Sequence, residues 1–217
     1  MEQVIHIFSY LKKSNKLTLY FDPMEPNIDQ SAFTEGSTRE EFMDMYRDAE
    51  EQLPDRMPKP RGKGVVTTAF VDASHGQDKK NRRSHTGFVL FVNRAPIIWY
   101  SKRQSTVETS TFSSEFIALK TCTEHVVSLR TKLRMFGVPI HDSTKVYCDN
   151  RSVVNNSSKM ESTLDKKHSA IAYHAVRWAV AAGVIVVGWI ESGRNIADAF
   201  TKRLTMVVRD QLFGEWT

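Results

Sequence analysis

One stripe of apolar residues constrains this chain more than anything else in it. Phe112, Phe116, Leu119, Cys122, Val126, Leu129, Leu133 and Phe136 follow one another in steps of three and four. That is the helical period, so residues 110–136 are expected to form one long helix with a single face laid on a sheet. Gly137, with Pro139 beyond it, supplies the stop. Glu115 falls three residues after Phe112 and four before Leu119, on the buried side. A carboxylate there costs free energy unless a cation or a hydrogen-bond partner meets it.

Around that helix the pattern reads as alternating strands and helices. Val65 to Ala73, Thr86 to Val92 and Ala95 to Tyr100 are apolar, β-branched runs, the last two joined by the turn Asn93-Arg94. Lys145 to Cys148 and Val184 to Ile190 are further strands. Helices are expected over about Asp165 to Ala182, stopped by Gly183, and over Asn195 to Arg203. Three consecutive strands make an antiparallel meander, and a helical crossover then makes a parallel pairing. The expected fold is therefore α/β, a mixed five-stranded sheet with flanking helices. Trp99, Trp178 and Trp189 fit core positions on these elements.

The first 64 residues are less regular. Residues 1–14 read as an amphipathic helix with Val4, Phe8 and Leu11 on one side, and Leu17 to Phe21 as a strand stopped by Asp22-Pro23. Arg39 to Gln52 reads as a highly charged helix. Residues 53–64 hold three prolines and two glycines and read as a linker. The expected division is an N-terminal segment over 1–64, a main domain over 65–204 and a tail over 205–217.

Composition excludes some classes of function. The 217 residues are 41% hydrophobic and carry a net charge of +5, with an isoelectric point near 9.2. That excess is mild and fits a solvated surface as readily as a polyanion partner. Two cysteines, Cys122 and Cys148, lie inside apolar patterns and read as small core residues of a reducing compartment. No apolar run approaches a membrane span and no signal peptide opens the chain, so the expected setting is intracellular.

Four acids occupy suggestive places. Asp72 lies within the first strand of the meander, Asp149 ends the fourth, Glu115 begins the long helix and Asp198 begins the last. A mixed sheet can bring such positions to one spot, and clustered carboxylates call for a hard cation, magnesium or manganese. A pair of such ions drives in-line displacement at phosphorus. The alternative is that each acid is solvated or caps a helix, Asp198 above all.

Ordered motifs add to this. Phe70-Val71-Asp72-Ala73-Ser74-His75, Arg82-Arg83-Ser84-His85-Thr86-Gly87, Ile98 to Val107, Ser113-Ser114-Glu115-Phe116, Tyr147-Cys148-Asp149-Asn150, Lys166-Lys167-His168 and Asn195 to Lys202 follow one another in the chain. Together, over roughly residues 65–204, they resemble the ribonuclease H domain of copia-type LTR retrotransposon reverse transcriptase polyproteins. The resemblance implies the ribonuclease H fold and metal-dependent cleavage of the RNA strand of RNA–DNA hybrids during reverse transcription. It also implies Asp72, Glu115, Asp149 and Asp198 as ligands of two Mg2+ ions, with Mn2+ as substitute. A cytoplasmic or virus-like-particle setting goes with it, as does the reverse transcriptase polymerase region as a partner.

This sequence departs from the family pattern in two places. No Tyr-x-Asp-Asp motif occurs, so the polymerase region is absent from this chain, which reads as a C-terminal piece, a degraded copy or a separate reading frame. The loop Glu191-Ser192-Gly193-Arg194-Asn195 lacks the histidine that many ribonucleases H carry before the last acid. The rival reading is accordingly a nucleic-acid-binding fragment of a degraded polyprotein that no longer cuts.

Candidate nucleic-acid contacts are Lys79, Lys80, Arg82 and Arg83 in one loop, Lys102, Arg103 and Gln104 in another, and Asn150 and His168. Cations would touch phosphate without reading sequence. Gln104 and Asn150 would touch the minor groove, where the 2′-hydroxyl marks RNA. The alternatives are a solvated loop for the cations, a helix cap for Asn150 and a partly buried, satisfied histidine for His168.

Overall fold

The centre of the structure is a strand that no water reaches. In a computed structural model describing residues 2–13, 18, 20–33, 39–42, 44–76, 78, 80–159 and 170–213, Thr67–Ser74 (β1) is buried along its whole length. It is covered on both faces, which is why even its polar residues Thr67, Thr68, Asp72 and Ser74 are buried and no apolar-polar alternation runs along it. His85–Val92 (β2) pairs with it antiparallel, and Ala95–Arg103 (β3) pairs antiparallel with β2. Asn93 turns the hairpin with φ 55°, a left-handed conformation asparagine tolerates well.

On the other side of β1, Thr144–Cys148 (β4) and Ile185–Trp189 (β5) add in parallel, giving the order β3-β2-β1-β4-β5. The expected five-stranded mixed sheet is the observed one. Its antiparallel half comes from hairpins and its parallel half from helical crossovers.

The long helix spans Thr111–Met135 (α3), and Ser110 caps it by accepting from the Ser113 amide at 3.2 Å. Its C-terminus closes on Gly137 with φ 73°, the Val138 amide donating to Leu133 O at 3.0 Å. That is the left-handed helix stop a glycine permits. Phe116, Leu119, Cys122, Val126 and Leu129 are buried against Val71, Phe88, Val146 and their neighbours on one sheet face. Each large side chain there contributes roughly 1.5–3 kcal/mol. The stripe ends earlier than its period suggested: Phe136 sits at the cap and is 82% exposed.

Other expectations need correction. The charged helix expected over 39–52 is one short turn, Arg39–Phe42 (α2). Beyond it the core and α3 capture the chain. Phe42 and Ala49 are buried, and Glu51 meets Arg130 at 2.7 Å and Arg134 at 2.6 Å. A polar helix, Arg151–Ser158 (α4), follows Asn150 where no apolar period announced one. The next helix is described over Ala170–Ala181 (α5), and residues 160–169 of that region lie outside the described ones. The last expected helix is a short 3-10 helix, Ile196–Phe200, and the tail holds a helix of its own, Met206–Phe213 (α6). Helix Glu2–Lys13 (α1) is formed as expected. Of the strand expected over 17–21, residues 18, 20 and 21 carry no regular structure, and the others lie outside the described residues.

The second sheet face has its own core: Phe70, Val89, Phe91 and Tyr147 beneath Ile196, Ala197 and Leu212. The segment before α2 lies there too. The Phe33 ring is 5.2 Å from that of Tyr147, and Gly188 leaves room for it, since a Cβ there would stand 2.5 Å from Phe33. The proline-rich stretch runs along the body, with Arg61 N donating to Gly137 O at 2.9 Å and Val65 N to Pro139 O at 3.0 Å. Trp99 is the misplaced aromatic. On edge strand β3 it faces outward, 58% exposed, while Trp178 and Trp189 pack on the core.

Candidate active site

Parallel pairing puts the C-terminal ends of β1 and β4 side by side, and the start of α3 is held to the same end. There the Ala73 amide donates to Glu115 Oε2 at 3.1 Å, joining helix and strand through a functional side chain. Asp72 and Glu115 are 1% and 5% exposed, whereas Asp149 and Asp198 are half-buried. Carboxylate oxygens of Asp72, Asp149 and Asp198 lie within 4.8 Å of one another. Glu115 and Asp149 come equally close around the Cys148 sulfur, so Asp149 belongs to both groups.

Four supports fix these acids. The Trp189 indole donates to the Asp149 carbonyl at 3.1 Å, and the Arg151 guanidinium lies 4.0 Å over its ring. Asn195, fully buried, donates to Val71 O at 3.0 Å and accepts from the Ala197 amide at 3.1 Å, pinning the Asp198 segment to β1. Thr201 donates to Asp72 Oδ2. Lys202 reaches Asp198 Oδ1 at 2.8 Å and Asp72 Oδ2 at 3.5 Å.

The electrostatics follow from four acids and one ammonium. Burial, then the charges of Asp72 and Asp149, push the Glu115 carboxyl up to about 9. Burial also raises Asp72, against the Thr201 hydrogen bond and the Lys202 charge, and Asp149, against a hydrogen bond from Ser192. A site whose carboxylates resist ionising together lacks positive charge. Its donors are hard oxygens, the set that suits magnesium, manganese or calcium. Burial pushes the Cys148 thiol up, which disfavours a soft thiolate ligand there. The four acids therefore fit a hard divalent cation.

No family model matches this chain. The retrovirus-related Pol polyprotein of transposon TNT 1-94 of Nicotiana tabacum is 30% identical over 141 residues, covering 65% of this chain. That of transposon RE1 of Arabidopsis thaliana is 26% identical over 145 residues, covering 67%. The chain spans 10% of the length of either relative. Among solved structures, the N-terminal RNase H domain of a Mycobacterium tuberculosis protein matches with a TM-score of 0.50 at 13% identity, covering 71% of this chain and all of that one. This chain is homologous to transposon Pol polyproteins and has the ribonuclease H fold. An RNase H1 solved in complex with an RNA/DNA hybrid also matches, with a TM-score of 0.50 at 14% identity, covering 62% of this chain and 93% of that one.

On this ribonuclease H frame the predicted basic residues fall at the acid end of the sheet. The loop after β1 carries Lys80 and Arg82, both exposed, and Arg83, half-buried; Lys102 and Arg103 are exposed at the end of β3. Arg103 pairs with Asp78 at 2.7 Å, which holds the Asp78 carboxyl down at about 2 and ties the loop to the strand. Lys79 and His168 lie outside the described residues. Gln104 is turned inward, its amide donating to Thr86 Oγ1 at 3.1 Å and Ser114 O at 2.9 Å. Asn150 caps α4, accepting from Ser152 and Val153 at 3.1 and 3.3 Å, which is its capping reading. The loop before the last acid is a 3-10 turn, Ser192–Arg194, with residues 191–194 exposed.

Sequence reasoning gave no role to Asn195, Thr201 or Lys202, although all three lie in a quoted motif. The four-residue step from Asp198 to Lys202 was the available signal.

Proposed function

We propose that this chain is a metal-dependent endonuclease that hydrolyses the RNA strand of RNA–DNA hybrids during reverse transcription of a copia-type element. The observation that carries the reading is the convergence of Asp72, Asp149 and Asp198 within 4.8 Å, with Glu115 joined to them through Asp149. Homology to Pol polyproteins and the ribonuclease H fold supply the context.

The four carboxylates would hold the cation, Mg2+ by hardness, with Mn2+ as substitute. When bound there, divalent metal lowers the pKa of a water for attack and stabilises the leaving 3′ oxygen. No side chain is needed as nucleophile. The residues do the positioning: Asn195 and Trp189 fix the acids, while Lys80, Arg82 and Lys102 attract the backbone of the hybrid. The polymerase region of the same polyprotein is the proposed partner, and a virus-like particle or the cytoplasm the proposed setting.

The deciding experiment is cleavage of a labelled RNA–DNA hybrid by the purified chain in magnesium and then manganese, with duplex DNA and duplex RNA as controls. Cutting confined to the hybrid, and lost in Asp149→Asn, is the expected result. Salt-sensitive binding without cutting in either metal would overturn the enzymatic reading in favour of a binding fragment.

A further inference from the structure

Among the described residues, the acid cluster contains one cation of its own. Lys202 follows the 3-10 helix Ile196–Phe200, one turn after Asp198, with its amide donating to Asp198 O at 2.9 Å and its ammonium within reach of two acids. It stands 2.8 Å from Asp198 Oδ1 and 3.5 Å from Asp72 Oδ2, bridging the segment that carries one acid to the strand that carries the other. The adjacent Thr201 grips the same Asp72 oxygen. Both acids belong to the group of three whose carboxylate oxygens converge within 4.8 Å. An ammonium and a divalent ion would compete for these carboxylates.

We propose that Lys202 is a tethered counter-ion of this site: it holds Asp72 and Asp198 together in the metal-free protein and must leave them for a divalent cation to bind. The inference rests on the metal reading of the acids given above but does not require that the protein cut RNA. Like charges held together in a half-dry site repel unless a cation lies between them. The lysine supplies that cation during folding, before any ion arrives. Its side chain is 38% exposed, so it has open space to swing into. A bound divalent ion carries twice its charge and takes several oxygens at once, so it displaces the ammonium on concentration and valence.

Competition has a sign that a structural role does not. Lys202→Met should lower the melting temperature of the metal-free protein and at the same time tighten Mn2+, roughly threefold to tenfold by titration calorimetry, the size of a charge-assisted contact. Lys202→Arg keeps the charge and should restore metal-free stability. Arg203→Met removes the same charge one residue away and should leave both readouts within about twofold, because exposed charges are screened. If Lys202→Met weakens Mn2+ or leaves its affinity unchanged, Lys202 is a structural residue and the proposal is overturned. Equal tightening in Arg203→Met would overturn it too, since net charge would then explain the effect. A protein that binds Mn2+ with this pattern yet never cuts hybrid would refute the nuclease reading and leave the counter-ion standing.

Discussion

Gly87 lies directly across the sheet from Asp72, and the space where its side chain would be is taken by the segment that carries Asp198. A Cβ at Gly87 would stand 2.6 Å from Thr201 Cγ2, 2.8 Å from Phe200 Cβ and 3.1 Å from the Ala197 carbonyl. The fourth acid reaches the first only because that strand position has no side chain. Gly87→Val should lift the 3-10 helix off β2, with a loss of about 1–3 kcal/mol in urea denaturation from the clash. The stabilisation conferred by Mn2+ should shrink with it. Full metal response in a stable Gly87→Val would show that the segment tolerates the shift.

Asp149 belongs to both acid groups, so removing its charge should act in opposite directions with and without metal. Metal-free Asp149→Asn should melt higher than the parent, because repulsion with Asp72 is relieved. A ligand that binds only the folded state adds about 2.7 kcal/mol at a hundredfold excess over its Kd. The parent should gain on that scale in Mg2+ and Asp149→Asn should not. Hybrid cleavage should fall by on the order of a hundredfold or more. Melting curves with and without Mg2+ decide the first part, and a gel assay the second.

Glu115 sets a pH signature. Its folded pKa of about 9 lies above the ordinary 4.5, so the folded protein holds this proton where the unfolded chain has released it. The Glu115 contribution to metal-free stability is therefore complete below about 4.5 and declines as pH rises toward 9. Metal must expel the same proton, so Mn2+ affinity should rise with pH across that window. Calorimetry near neutral pH in buffers of different ionisation heat should record proton release in the parent and less in Glu115→Gln.

Away from the site, Glu51 links the irregular segment to α3. Burial alone would raise its carboxyl, but hydrogen bonds from Arg130 and Arg134 outweigh it and bring the pKa below the ordinary 4.5. A depressed pKa means stability that is present above the unfolded value and lost as pH falls through the folded one. Acid denaturation below about pH 4.5 should thus be blunted in Glu51→Gln. At neutral pH that variant should cost roughly 3–5 kcal/mol, since the Arg130 guanidinium, almost fully buried, loses its carboxylate.

What the sequence made legible follows from where each signal lives. Elements with a strong period and firm stops, α3 and four of the strands, were placed to within a residue or two, because burial dictates their pattern, while β3 runs three residues past its expected end at Tyr100. The four acids were found as members of an ordered motif, and the close approach of Asp72, Asp149 and Asp198 followed from strand order. The missed features depend on distant contacts. Helix α4 is polar and held by its Asn150 cap, so no apolar period marks it. The stretch after Phe42 has the composition of a helix, but the long-range grip of Arg130 and Arg134 on Glu51 shapes it instead. Trp99 reads as core from its strand neighbours, yet edge strand β3 leaves that face bare. Lys202 was given no role because half of its meaning lies in Asp72, 130 residues earlier in the chain.

The segment before β1 separates two things that usually coincide. The stretch that carries the ordered motifs starts near residue 65, but the stretch that keeps water out of the sheet starts much earlier. Phe33 covers Gly188, Phe42 and Ala49 fill the core beneath α5, and Glu51 neutralises a buried arginine. A shortened chain beginning at residue 65 would retain all four clustered acids and lose the plug, the wedge and the counter-charge that seal the body behind them. The unit that the motifs mark and the unit that the packing closes have different left-hand edges in this protein.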